Sequence, residues 1–234
     1  MQALAQWLGP EEWMAVRLSI KVALVATALS LPFGIFLSYA LARWRFPGKQ
    51  LLNGLVHLPL VLPPVVTGYI LLLGFGPFGP IGQVLEPLGL GVAFRWTGAS
   101  IAAAVMGFPL MVRAIRLSFE MVDPGLEKAA ATLGASPIWV FFTVSLPLAV
   151  PGVLAGAVLA FAKAMGEFGA TITFVANIPG ETQTLPSAIY TFLQVPGGET
   201  SALRLVLISV AVSLVALLLS EVLNRRIQAR STGE

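Results

Sequence analysis

Lys163 and Glu167 stand four residues apart, with no other Asp, Glu, Lys or Arg between Phe142 and Gly180. On a helix, that spacing sets an ammonium and a carboxylate on one face. Ionisable groups inside an apolar stretch are costly and mark candidate ion pathways; a plain structural pair near the interface is the alternative. Thr171 and Thr173 follow with hydroxyl donors that could line such a pathway. Little other chemistry is on offer. Cysteine is absent, which removes thiolate metal sites, Fe–S clusters and disulfides. A single histidine, His57, does not build a histidine metal site, so no metal centre and no catalytic residue is expected. No G-x4-G-K-[ST] phosphate loop occurs, so the chain is not expected to bind a nucleotide through that motif. An intramembrane enzyme would need clustered polar groups at membrane depth, and the sequence lacks them.

The elements that must position these residues are membrane spans. Of 234 residues, 57% are apolar and 11% charged, against about 25% charged in soluble domains. The mean hydropathy of +0.87 makes lipid the solvent for most of the chain. The net charge of +3 reads as cations flanking spans rather than as a nucleic-acid surface, because no aromatic–basic interleaving accompanies it. The first sixteen residues hold no Lys or Arg, unlike a cleavable signal peptide.

A spanning helix needs about 20 apolar residues. Five stretches qualify: Val22 to Ala42; a second from Gln50 to near Phe75; Thr97 to Leu117; one within Phe142 to Met165; and Leu203 to Leu223. Phe168 to Pro179 is too short to cross and reads as a re-entrant or surface segment. The expectation is an all-α integral membrane protein, a single domain over residues 1–234 with its core at about 16–223. Five spans put the termini on opposite sides. Arg43, Arg45, Lys49, Arg113, Arg116, Lys128, Arg225, Arg226 and Arg230 then share one side, which marks the cytoplasm. The N-terminus is expected outside and the C-terminus inside.

Two patterns shape the spans. Pro59, Pro63 and Pro64 crowd the second one, each removing a helical donor; Pro63 and Pro64 are therefore candidates for a helix shaped around a pathway. Gly152 and Gly156 form a G-x-x-x-G pair, which permits close helix approach either within the bundle or across a dimer axis.

The most informative segment lies between the third and fourth spans, at about residues 123–141. Asp123 is a good N-cap, with Pro124 at the first helical position. Leu126, Ala129, Ala130 and Leu133 recur on one helical face. Gly134 suits a left-handed stop, and Ser136-Pro137 starts a second helix. A short helix should project and turn back, presenting a small-residue face to a partner's groove.

Ala129-Ala130, then Gly134, then Val144-x-Leu146-Pro147 resemble the "EAA" loop of bacterial ABC importer permeases, E-A-A-x3-G-x9-I-x-L-P. Lys128 stands where that pattern has glutamate, and Glu127 lies one position earlier. Phe46-Pro-Gly-Lys49, the run from His57 to Pro64, Phe108 to Arg116, Gly166 to Phe174 and Asn177 to Thr182 are similar to the molybdate permeases of that family. Gly166-Glu-Phe-Gly169 is shared with sulfate and tungstate permeases, which keeps those anions as alternative cargo. The resemblance implies a type I ABC importer permease fold in the bacterial inner membrane, working as a homodimer. It implies two ATPase subunits carrying ATP and Mg2+ on the cytoplasmic side, docked on Glu127, Lys128, Ala129, Ala130, Leu133, Gly134, Leu146 and Pro147. It also implies a periplasmic or extracellular oxyanion-binding protein. A passive channel would not need the docking loop.

Overall fold

The computed structural model describes residues 7–231, with side chains described except at 220 and 223–231; Arg225, Arg226 and Arg230 lie outside the described side chains. Its helices are α1 (Pro10–Arg43), α2 (Lys49–Val61), α3 (Pro64–Phe75), α4 (Gly82–Leu85), α5 (Trp96–Met121), α6 (Pro124–Thr132), α7 (Pro137–Val140), α8 (Leu146–Met165), α9 (Gly169–Val175), α10 (Leu185–Leu193) and α11 (Glu199–Ser231). A π-helical turn, Phe141–Ser145, joins α7 to α8. Four helical stretches are long and apolar enough to cross a membrane: α1, α5, α7 through α8, and the Glu199–Leu219 part of α11.

The second expected span is not one continuous helix. Between α2 and α3 the chain bends by 114°. Leu62 and Pro63 each precede a proline, which disfavours the helical region, and both are extended, at ψ 143° and 133°. Pro59, with no second proline beside it, stays inside α2.

Side-chain contacts show which helix ends lie together. Arg204, early in α11, reaches the Glu12 carboxylate at 3.4 Å and the Trp7 carbonyl at 3.1 Å. Lys21 sits 3.4 Å over the ring of Trp96, the first residue of α5. So α1, α5 and α11 all start toward one end. At the other, basic end, Arg43 donates to the Val122 carbonyl at 2.7 Å and Arg116 to Asn53 at 3.0 Å. Since α1 and α5 run the same way, the bent α2–α3 pair and residues 76–95 must return the chain between them. Five passages result. α1, at 34 residues, is about 51 Å long against a hydrocarbon core of about 30 Å, which leaves its acidic first turn clear of the core.

The densest packing joins α5 to α8 and α1. A Cβ on Gly152 would collide with the Ser118 side chain, and one on Gly156 would lie 2.8 Å from Ile115. The G-x-x-x-G pair therefore serves the α5–α8 contact inside the chain. α9 is buried through Ala170, Thr171, Phe174 and Val175, packed against α3 and α5 rather than lying as a surface segment. α10, nine residues long, is too short to span.

Candidate functional site

At the basic end, the expected projecting helix is α6. The Asp123 carboxylate accepts from the Gly125 N–H at 2.8 Å, and Pro124 occupies the first turn. Gly134 stops the helix at φ +88°. The Ala135 N–H then closes back on the Ala130 carbonyl at 3.2 Å, a Schellman-type stop. Ser136 caps α7 by accepting from the Trp139 N–H. No residue of α6 is buried; Leu126 is half exposed and Leu133 90% exposed. Ala129 and Lys128 are also exposed, and Ala130 is half-buried. An apolar face without a partner in the chain is what a docking helix needs.

Glu127, the acid displaced by one position from the family pattern, is where this end is tied together. Its Oε1 accepts from Arg43 Nε at 3.0 Å and from Ser145 Oγ at 2.8 Å. Arg43 also holds the last turn of α5 through Val122. One carboxylate thus links the end of α1, the projecting helix α6 and the π-helical turn that opens α8. Pro147 has no N–H to give the Thr143 carbonyl, and its ring crowds that position; the turn just before it is the widened one. Leu146 and Pro147 begin α8, so the second half of the family motif is the root of that span. In the sequence Arg43 stood out only as one of the cations on one side, and Ser145 not at all, because neither belongs to a spacing pattern that pairs it with Glu127.

The second group lies where α8 hands over to α9. Lys163 Nζ contacts Glu167 Oε2 at 2.7 Å. Glu167 Oε1 accepts from the Ala170 N–H at 3.0 Å, so the same carboxylate caps α9. The Glu167 side chain is 2% exposed and that of Lys163 30%. α3 lies directly on α9: a Cβ at Gly68 would collide with the Ala170 carbonyl, and one at Gly169 would come 2.8 Å from Pro64 Cβ. Lys163, Glu167 and the buried Thr171 therefore lie around one junction, with Pro64 against Gly169 at its edge; Pro63 and Pro64 are both exposed at the α2–α3 corner. Thr173 donates to the Gly169 carbonyl at 2.8 Å, so its proton serves its own helix. Thr67, unflagged by sequence, has its hydroxyl buried without a partner among the described residues. No group of three or more His, Cys, Asp or Glu able to hold a metal occurs among those residues.

The arrangement is a polytopic bundle with a tethered projecting helix at one end and the packed α3–α8–α9 junction opposite. The family model described as "Binding-protein-dependent transport system inner membrane component" matches residues 30–229. The chain belongs to that family. This permease is therefore a multi-pass inner-membrane transport subunit and not an enzyme. It is 59% identical over 219 residues to the molybdenum transport system permease protein of Escherichia coli (strain K12), covering 93% of this chain and 96% of that one. It is 56% identical over 220 residues to the same-named protein of Haemophilus influenzae, covering 94% and 96%. The sulfate transport system permease protein of Synechococcus elongatus is 35% identical over 215 residues, covering 91% and 74%. Among solved structures, the permease fold is shared with a bacterial ABC transporter that imports alginate, at TM-score 0.76 and 16% identity over 96% of this chain and 82% of that one. It is shared with the MetNI methionine ABC transporter at TM-score 0.70 and 15% identity, over 97% and 99%.

Proposed function

We propose that this permease forms the membrane pathway for molybdate import, driven by ATP bound with Mg2+ on two partner ATPase subunits. The observation that carries the cargo is its near-full-length likeness to molybdenum permeases, at well above its identity to the sulfate permease. The docking helix, with its exposed apolar face and its tether through Glu127, supports the coupling to an ATPase. A second copy of the chain completes the pathway, and an oxyanion-binding protein delivers cargo at the opposite face. The clustering of Arg43, Arg45, Lys49, Arg116 and Lys128 at the docking end supports placing that end in the cytoplasm, with the N-terminus outside and the C-terminus inside. Lys163, Glu167, Thr171, Thr173, Pro63 and Pro64 are the proposed lining of the path.

Accumulation of trace molybdate, tungstate and sulfate should be compared in cells with and without this gene. Loss of molybdate uptake with sulfate unchanged is the expected result. Loss of sulfate uptake alone would overturn the cargo and leave the importer standing. The sulfate reading rests on the 35% relative and on sulfate being, like molybdate, a tetrahedral dianion.

A further inference from the structure

Along the outside of α1, an apolar groove of about 640 Å³ runs toward the basic end, walled by Leu31, Ile35 and Phe36 on one side and Ile138, Phe142 and Leu146 on the other. At Tyr39, Trp44 and Pro137 it meets a second cleft of about 610 Å³. That cleft is lined by Arg43, Arg45, Lys49 and Lys128, with Glu127 as its carboxylate. Arg43 and Glu127 neutralise each other. Among the described residues, Arg45, Lys49 and Lys128 have no carboxylate partner; Lys49 donates to the Trp44 carbonyl at 3.1 Å. An apolar slot and an uncompensated cationic pocket are thus continuous, with an indole at their boundary.

We propose that this composite site binds one anionic phospholipid, its phosphate on Arg45 and Lys49 and an acyl chain in the groove. Depth fits: the groove follows α1 from Ala28 to Tyr39, about 17 Å of helix, close to the roughly 15 Å of one leaflet's hydrocarbon. Chemistry fits as well, since basic pockets beside spanning helices on the cytoplasmic side hold anionic headgroups, and tryptophan favours the headgroup level. A second copy of this chain fits less well. Glu120, Asp123 and Glu127 at the same end are already engaged by Arg116, the Gly125 N–H, and Arg43 with Ser145. The site rests on the docking end lying at a membrane face and not on which oxyanion is carried.

The test is native mass spectrometry of the complete transporter, purified with its ATPase and exchanged into 1-palmitoyl-2-oleoyl phosphatidylglycerol or the matching phosphatidylcholine. One phosphatidylglycerol per permease should survive release from detergent, and phosphatidylcholine should not. Arg45→Gln with Lys49→Gln should weaken retention about 25-fold, at about fivefold per charge near a membrane surface, while Arg113→Gln on α5 should leave it intact. Ala28→Trp, which fills the far end of the groove, should weaken it without changing any charge. Equal retention of both lipids, or retention indifferent to the double variant, would overturn the site. So would efficient disulfide cross-linking between two copies carrying Phe142→Cys, in a chain with no native cysteine, since that would place the second copy in the groove.

Discussion

Glu127 is one position away from where its family's pattern puts an acid, yet its carboxylate gathers Arg43 and Ser145 at 3.0 and 2.8 Å. Its side chain and that of Arg43 are only 16% and 15% exposed, so screening is limited. Glu127→Gln keeps shape and removes charge. It should lower the ATPase-to-permease ratio on co-purification and lower uptake, with the permease still made; hydrogen bonds to charged groups are worth about 1.5–3 kcal/mol. An unchanged ratio would reduce the tether to local packing. Lys163 presents a different case, because it satisfies a nearly fully buried carboxylate. Lys163→Ala should therefore cost folded protein as well as transport, since an unpaired buried charge is strongly destabilising. The paired change Lys163→Met with Glu167→Gln removes both charges together. Recovery of abundance with uptake per molecule still low would assign Lys163 to the path; full recovery of uptake would make the pair structural.

Among the elements, α6 and α9 both depend on glycine, for different reasons. Gly134 has open space around its Cβ position but sits at φ +88°, so Gly134→Val acts through backbone strain of about 1–3 kcal/mol. The docking turn should distort and ATPase co-purification should fall, while detergent stability of the permease alone changes little. Gly68 is the reverse: its φ is ordinary but the Ala170 carbonyl occupies the space a methyl would need. Gly68→Ala should separate α3 from α9 and lower stability by about 1–3 kcal/mol, the usual range for overpacking. A shift in unfolding midpoint of the purified transporter reads this directly, and no shift would mean that α3 slides freely on α9.

For the whole molecule, five passages place the α6 stop and the α9–α10 connection at opposite ends. The chain has no cysteine, so single cysteines report sidedness cleanly. In right-side-out vesicles a membrane-impermeant maleimide should label Glu181→Cys and spare Leu133→Cys until the membrane is opened. The reverse pattern would invert the bundle and remove the cytoplasmic docking surface.

Composition, span lengths and the run from Asp123 to Gly134 were enough for an all-helical membrane protein with a capped projecting helix, because lipid demands long apolar helices and caps are local chemistry. The pairing of Lys163 with Glu167 was legible for the same reason: partners four apart on a helix need no tertiary information. The 114° corner was half visible. Three prolines announced a break, but α9 against α3 closes the far side of that corner, and that contact comes from residues a hundred positions away. Long-range choices were not legible. That Gly152 and Gly156 face α5, that Glu127 finds Arg43 84 residues earlier, and that an apolar groove runs into a basic cleft are set by which helices lie side by side. Helical periodicity says which face of each helix is apolar or small, while the identity of the face it meets is decided only when the bundle closes.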